Sequence, residues 1–472
     1  MKETAGRDWT RASYAYAALV AISLGYFLLR IPIQISDSFT NILALDRPWM
    51  ALMRDSIQDG YMRPGLWAEL KLVFDLSGGN LTAWYRWTHV LQVTAVLLLF
   101  VRLLRPRSST SMLMVPLAIG ALVGGHTFAW TVREAFPINT FLTIVLCCVA
   151  AANLALDEHR RWHDAAAGIL SLVAMLTVES GLLVPGMFMA AYVTGARGIS
   201  RRGVAGIAGL VAGYFVARYG VFAVGMPGLE MRDAGFGFAR RDAAELGRMF
   251  GGSPYGFYLY NVVSSIGSVL FAEPREGVWV FTRTLVDGSF NAPLTIGLVS
   301  STLATAVIGR YAWRRRAAWV TRSFNRDDRI VLLFVAVLVA NALISCAYTK
   351  DVIMSPAGLM FAAALFVAGR DLIEMLKPEM PRMAQVTVVV LVTLLSVGWS
   401  VRQVGVHVAL ANTAAQVRDQ WAYIDGWLVG WGYDPPDSRV RALRDRLQSD
   451  AILGNAGRVG IREQWTVPFE ID

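Results

Sequence analysis

The sequence is poor in charged residues for its length. Only 17% of its 472 residues are charged and 55% are hydrophobic, whereas a soluble domain has about 25% charged residues. This composition argues against an ordinary soluble protein and predicts a polytopic membrane protein. The net charge of +9 comes from short arginine clusters between apolar runs, which are typical of topology signals and not of a nucleic-acid-binding face. We therefore expect membrane lipids, and no nucleic acid, among its partners.

Cysteine is also scarce. Cys147, Cys148 and Cys346 all lie inside apolar runs, and two adjacent cysteines suit neither a metal pair nor an ordinary disulfide. The chain lacks a P-loop, a dinucleotide-binding glycine motif, an HExxH motif and paired CxxC motifs. These absences argue against the nucleotide-dependent and zinc-dependent classes that such motifs mark.

Long apolar runs are the main feature of the sequence. A membrane helix needs roughly 20 mostly apolar residues, and about eleven runs approach this length. They lie near residues 13–34, 87–104, 112–131, 136–155, 164–178, 180–196, 203–224, 291–309, 330–348, 352–369 and 384–401. The sequence therefore predicts an all-α fold, a bundle of transmembrane helices.

Arginine placement predicts the orientation of this bundle. Arginines follow every even-numbered run, so those loops are expected in the cytoplasm, with the N-terminus inside and the C-terminus outside. The prediction is a transmembrane module over residues 1–401, with outer loops at 35–86 and 225–290. A small extracytoplasmic tail follows at 402–472.

The first outer loop begins with an acid. Asp37 lies where the first run leaves the bilayer, so its carboxylate can meet a lipid-borne substrate at the membrane surface. Burial at this depth would raise its pKa toward a value suited to a general base. The alternative is that Asp37 caps a short helix over residues 38–45, because aspartate favours that position.

The stretch "YMRPGLW" follows in the same loop. Pro64 can start a helix at its first turn, and the apolar spacing predicts an amphipathic helix on the membrane. The apolar positions are Leu66, Trp67, Leu70, Val73 and Phe74. Arg63 would then lie at the depth of a lipid phosphate, either to bind a substrate or to reach ordinary headgroups.

Two further stretches carry ionisable groups between apolar runs. In "GHTFAWTVRE", His126 lies inside a predicted span, where such groups usually face a cavity or a partner, and Arg133 and Glu134 lie at its outer edge. In "VESGLLVP", Glu179 is the only charge of a long apolar stretch. The alternative for each is a structural role, as a core histidine, a mutual ion pair or a polar turn.

A last pattern lies in the tail. Aromatic and aliphatic residues recur there at helical spacing, at Trp421, Ile424, Trp427, Leu428 and Trp431. They predict a helix that packs on the membrane or on the loop at 225–290, followed by a small soluble cap.

Taken in order, these stretches resemble the GT-C glycosyltransferases, polytopic enzymes that use lipid-phosphate sugars. The likeness is strongest to the membrane part of the protein O-mannosyltransferases that carry tetratricopeptide repeats, and to their bacterial relatives. It covers about residues 13–190 and comprises Asp37, "YMRPGLW", "WYRWTHVLQ", "GHTFAWTVRE" and "VESGLLVP". The chain departs from the family at Val178, where a lysine is usual, and no tetratricopeptide repeat follows.

The resemblance implies a glycosyltransferase of the bacterial inner membrane, active on the extracytoplasmic side. Asp37 would take the proton of an acceptor hydroxyl, and a polyprenyl-phosphate sugar would be the donor, with inversion at the anomeric carbon. The implied substrate-binding residues are Arg63, His126, Arg133, Glu134 and Glu179. The resemblance does not specify whether the acceptor is a glycan, a lipid or a protein. No cofactor or metal ligand is assigned, and a role for Mg²⁺ or Mn²⁺ stays open.

Two other functions stay open from the sequence. A transporter of a lipid-linked or polar solute would show paired half-repeats and interrupted helices. An O-antigen polymerase or ligase would place its essential arginines in the later loop, at Arg240, Arg241 and Arg248.

Overall fold

A computed structural model gives the fold of the chain. It describes residues 2–134, 136–137, 140–224, 248, 255–271, 284–289, 292–347, 351–376, 380–433 and 436–453, without the side chains of residues 2–8, of Asp37 and of Leu453. Within these ranges the chain is helical and contains no β-strand.

The helices of the first half begin with a long one and continue through the first predicted loop. They are α1 (Lys2–Leu28), α2 (Ser36–Ala44), α3 (Trp49–Gln58), α4 (Pro64–Leu76), α5 (Leu81–Leu104), α6 (Ser109–Val123), α7 (His126–Arg133), α8 (Thr140–Leu156), α9 (His163–Thr177), α10 (Leu183–Val193) and α11 (Arg201–Phe215). A 3₁₀ turn, Glu179–Leu182, joins α9 to α10, and a π-helical turn, Val216–Val221, extends α11.

The second half has fewer and longer helices. They are α12 (Tyr255–Leu270), α13 (Ala292–Val320), α14 (Arg326–Ile344), α15 (Ser355–Glu374), α16 (Arg382–Gln420), α17 (Ile424–Gly430) and α18 (Ser438–Leu453). The 3₁₀ turns Asp351–Met354 and Trp421–Tyr423 precede α15 and α17.

Several helices have the length and composition of membrane spans. Five qualify in the described residues, or six if the bent pair α6 and α7 counts as one. They are Leu81–Leu104, Arg201–Val221, Ala292–Val320, Asp351–Glu374 and Arg382–Gly430. The prediction of an all-helical protein is confirmed, and membrane character is supported by these apolar helices. The count of about eleven spans and the orientation stay predictions.

One predicted span is not a single straight helix. The run at 112–131 breaks after α6, and α7 leaves at 62°. Gly124 lies at the break, where a Cβ would come within 2.8 Å of the Gly120 carbonyl oxygen and 2.9 Å of the Arg402 side chain. The sequence pattern missed this break because both halves are apolar enough to read as one run.

Helix α15 forms the centre of the bundle. The apolar part of its span is fully buried, which fits a sequence rich in alanine and glycine that lets neighbouring helices approach closely. A Cβ at Gly358 would lie 2.2 Å from the Thr127 hydroxyl, and one at Gly369 would lie 2.2 Å from the Met114 side chain. A larger residue at either position would therefore have to displace the neighbouring side chain.

A second apolar cluster lies at one end of the bundle. Side chains of α2, α3 and α4, the start of α5, and residues within 421–433 and 440–451 pack together around Phe39 and Trp421, both nearly inaccessible to solvent. Phe39 also stacks on Trp431, with ring centroids 5.9 Å apart. We call this cluster the cap.

The cap tests the prediction for the tail. The chain is helical from Trp421, as predicted, with a 3₁₀ turn followed by α17. These residues pack on the helices of the first loop, and most of the loop at 225–290 lies outside the described residues. Helix α16 runs without interruption through residues 401 and 402, where the boundary of the tail was predicted. Inside the predicted loop 225–290, α12 packs with the core of the bundle through Val269.

Candidate functional site

The motif "YMRPGLW" forms the helix that its sequence predicts. Helix α4 starts at Pro64, and Leu70 and Val73 are its buried residues. Its first turn packs closely on the end of α9, because a Cβ at Gly65 would lie 2.9 Å from the Leu176 carbonyl oxygen. This packing brings Arg63 to the link between α9 and α10, where Glu179 lies.

Arg63 and Glu179, predicted from separate motifs, are in direct contact. The Arg63 Nη2 lies 2.7 Å from one carboxylate oxygen of Glu179. The other oxygen accepts a hydrogen bond of 3.2 Å from Arg218 Nη2, in the π-helical turn after α11. Arg218 Nη1 also donates to the Tyr214 hydroxyl at 2.8 Å. We call this group of residues 63, 179, 214 and 218 the arginine cluster.

The arginine cluster is partly buried and carries excess positive charge. The Arg218 side chain is 4% exposed and that of Glu179 is 30% exposed. Burial alone would raise the pKa of Glu179, but the Arg63 and Arg218 guanidiniums outweigh it and lower the pKa to about 2. One carboxylate against two guanidiniums leaves a net charge of +1. The Nε atoms of Arg63 and Arg218 are buried and have no hydrogen-bond partner among the described residues.

Asp37 lies in the first turn of α2. The helix begins one residue earlier, and Ile35 holds the N-cap position, so Asp37 does not occupy the N-cap itself. Two hydrogen bonds fix the chain before it: Arg86 donates to the Pro32 carbonyl at 3.3 Å, and the Trp421 indole donates to the Ile33 carbonyl at 2.9 Å. Where the Asp37 side chain points lies outside the description.

His126 begins α7 and meets an acid from a distant part of the chain. Its Nε2 lies 3.6 Å from Asp351 Oδ1, and both side chains are only 8% exposed. The same two segments are joined by hydroxyls, since Ser355 Oγ donates to the Thr127 carbonyl at 3.0 Å and bonds to the Thr131 hydroxyl. The break after α6 and the turn before α15 therefore face each other, with a His–Asp pair between them.

Arg133 ends the same helix. Its Nε donates to the Thr413 hydroxyl of α16 at 3.2 Å, and its guanidinium lies 4.5 Å from the Trp130 ring centroid. Glu134 follows directly and is half-buried. Trp421 lies eight positions after Thr413, or about 12 Å along a helix. The last turns of α16 and the 3₁₀ turn that follows thus contact Arg133 and the chain that leads to Asp37.

A carboxylate that is not among the predicted site residues lies on α4. Glu69 accepts hydrogen bonds from Gln92 of α5 at 2.8 Å and from Thr143 of α8 at 3.3 Å. Burial raises its pKa to about 7, even though both hydrogen bonds act in the opposite direction. Its position was readable from the sequence, because residue 69 shares the apolar helical face of Leu66 and Val73.

Two other groups were overlooked, and only one of them carried a signal in the sequence. Arg218 stands inside the predicted span 203–224, where an ionisable residue marks a functional or structural partner. Asp351 lies between the predicted runs 330–348 and 352–369, and its pairing with His126 spans 225 positions, which no local pattern reveals. No group of three or more His, Cys, Asp or Glu side chains that could hold a metal ion occurs among the described residues.

The fold and site define a coarse class, an all-α protein with helices of membrane-spanning length and charged clusters where helices end. No protein-family model, curated protein or solved structure matches the chain.

Proposed function

We propose that the protein is a polytopic membrane glycosyltransferase of the GT-C type. It would transfer a sugar from a polyprenyl-phosphate donor to an acceptor on the extracytoplasmic side of the bacterial inner membrane. In this proposal the bundle has about eleven spans, with the N-terminus inside and the C-terminus outside. The observation that carries it is the arginine cluster, in which Arg63 and Glu179 meet.

The arginine cluster has the chemistry that a lipid phosphate requires. Guanidiniums bind phosphate oxygens through charge-assisted hydrogen bonds, and Arg63 and Arg218 each keep a buried Nε–H that is not used within the described residues. Glu179 holds the two guanidiniums by one oxygen each. It therefore preorganises both cations while leaving the cluster attractive to an anion.

The charge of the donor grows during the proposed reaction. The acceptor hydroxyl oxygen attacks the anomeric carbon while the bond from that carbon to the phosphate oxygen breaks. The phosphodiester, with one negative charge, becomes a phosphomonoester that carries a second one. Asp37 takes the hydroxyl proton, and fixed guanidiniums stabilise the leaving phosphate more as its charge increases. A single displacement of this kind inverts the anomeric carbon.

The test uses purified protein in nanodiscs with a panel of polyprenyl-phosphate sugars. Wild-type protein should release free polyprenyl phosphate when an acceptor fraction from the cell envelope is added. Asp37→Asn should lose about 10²–10⁴-fold in turnover, the usual contribution of a general base, and keep its affinity for the donor. Arg218→Gln should weaken donor binding.

Arg160→Gln is the matched control, since Arg160 is an exposed arginine in the α8–α9 turn. It should change neither turnover nor donor affinity. A wild-type protein that binds donors yet never cleaves them would contradict the proposal. A fully active Asp37→Asn variant would remove Asp37 from the mechanism and make Glu134 the next candidate base.

One observation favours a transporter instead. Broken helices that face each other within a bundle are typical of transporter binding sites, and the break between α6 and α7 faces the turn before α15 across His126 and Asp351. A transporter would move a labelled solute into sealed proteoliposomes without cleaving a lipid donor. Measurement of donor cleavage and of uptake on one preparation separates the two functions.

A further inference from the structure

Arg86 is one of the most buried charged residues of the described chain. It lies in the second turn of α5, and none of its surface is exposed to solvent. Burial of a guanidinium costs several kcal/mol unless hydrogen bonds replace the lost water. The position of those hydrogen bonds therefore shows what the residue holds in place.

The guanidinium of Arg86 joins two segments that are remote in sequence. Its Nη2 donates to the Pro32 carbonyl at 3.3 Å and to the Phe136 carbonyl at 3.4 Å. Its Nη1 lies 3.5 Å from His89 Nδ1, one turn along α5. The adjacent Tyr85 donates to the Leu70 carbonyl at 3.1 Å, so the start of α5 is fixed to the cap as well.

These two carbonyls flank the candidate catalytic groups. Pro32 lies five residues before Asp37, and Phe136 lies two residues after Glu134. One guanidinium bonds to both carbonyls. It therefore sets the distance between the segment that carries the proposed base and the segment that carries Arg133 and Glu134.

We propose that Arg86 is a positioning residue, which holds the segment of Asp37 against the segment of Arg133 and Glu134. The catalytic part of this inference rests on the proposed function, whereas the positioning part does not. Lysine does not reproduce this arrangement, because a single ammonium replaces the planar guanidinium, whose Nη2 bonds to both carbonyls while its Nη1 lies beside His89.

The experiment measures position and activity separately. Spin labels at Gln34→Cys and Thr140→Cys, in a background without native cysteines, report the distance between the two segments in nanodiscs. Wild-type protein should give one narrow distance distribution. Arg86→Met keeps an apolar stem of similar length and should broaden the distribution. Arg86→Lys should broaden it too, and it retains the charge if the methionine variant does not fold.

Arg326→Met is the matched control. Arg326 also donates to a backbone carbonyl, that of Leu103 at 2.7 Å, at the start of α14 and away from the site. It should leave the distance distribution narrow. In the transfer assay, both Arg86 variants should lose about 10²-fold in kcat, the cost of a misplacement of about 1 Å, with little change in donor affinity.

The two readouts separate the two claims. A narrow, unchanged distribution in folded Arg86→Met and Arg86→Lys proteins would overturn the positioning role, whatever the activity. If wild-type protein cleaves no donor, the proposed function fails, and broadening in the Arg86 variants would still support the positioning role. Broadening with full kcat in an active enzyme would show that the link between the segments does not serve catalysis.

Discussion

Replacement of Glu69 by glutamine should make the protein more stable at alkaline pH. The Glu69 side chain of α4 bonds to α5 and α8, and its described hydrogen-bond partners, Gln92 and Thr143, are both neutral. Burial without a cation disfavours the ionised form, so its pKa rises to about 7. Glutamine has the same shape without the charge, and its amide can still bond to both neighbours.

The pKa sets the size and sign of the effect. A rise from 4.5 to about 7 corresponds to about 3 kcal/mol, at about 1.4 kcal/mol per pKa unit. Because Glu69 is half-buried, solvent screening reduces the expected effect to about 2 kcal/mol. The pKa is higher in the folded state, so the ionised carboxylate destabilises the fold. This penalty grows between pH 4.5 and pH 7 and is complete above pH 7.

The assay is thermal unfolding in detergent or nanodiscs at pH 5 and pH 8. Glu69→Gln should unfold a few degrees higher than wild type at pH 8, and the difference should shrink to less than about 1 kcal/mol at pH 5. Asp75→Asn is the control on the same helix, since Asp75 is 54% exposed and pairs with Lys71. It should change stability by less than about 0.5 kcal/mol. A Glu69→Gln protein that is less stable than wild type at both pH values would refute the reasoning.

Two further predictions concern the arginine cluster and the orientation. The ionised carboxylate of Glu179 has the opposite effect on stability from that of Glu69. Its pKa is about 2 in the fold, so it stabilises the protein above pH 4.5 and loses this effect as the pH falls toward 2. Glu179→Gln should therefore cost about 3 kcal/mol at pH 7 in thermal unfolding, equally at pH 6 and pH 8, and an unchanged stability would contradict the ion-pair geometry. Ser438→Cys, at the exposed start of α18, should react with an impermeant thiol reagent in intact cells after Cys346→Ser removes the most accessible native thiol. Labelling that requires lysis would reverse the predicted orientation.

The sequence predicted most helix positions because they follow from local chemistry. The start of α4 at Pro64 is set by the proline itself and by the apolar spacing that follows. The length of α16 was not predictable in the same way. Its apolar part ends near residue 401, and the continuation to Gln420 is polar enough to suggest a loop until its buried face meets α7 and the cap.

The sequence identified several residues of the candidate site, but it did not predict which of them are in contact. Motifs identified Arg63 and Glu179 separately, and their contact depends on the packing of α4 against α9 across 116 positions. Arg218 and Glu69 were hidden by a different effect. Each is a charged residue in a segment whose mean hydropathy is apolar. A prediction of spans or surface helices uses that mean, so it gives little weight to one charged residue.

Single charges within apolar segments share a structural logic in this protein. Arg86, Arg218 and Arg402 are each at most 3% exposed. Each contacts a place where a helix ends or changes type. Arg402 donates to the Gly124 carbonyl at 2.9 Å and to the Ser300 hydroxyl at 2.9 Å, at the bend between α6 and α7.

A helix end explains the position of Arg402, because the Gly124 carbonyl that it contacts lies at the C-cap of α6. The last carbonyls of a helix have no partner within it, and inside an apolar bundle water does not reach them easily. A guanidinium carries five donors in a fixed plane, so one side chain can satisfy several carbonyls or hydroxyls and also fix their relative position. A junction between segments that are remote in sequence gains from such a link, because loops alone would leave their separation variable. In this chain, arginines inside or beside apolar runs contact the segment before Asp37, the carboxylate of Glu179 and the bend that precedes His126.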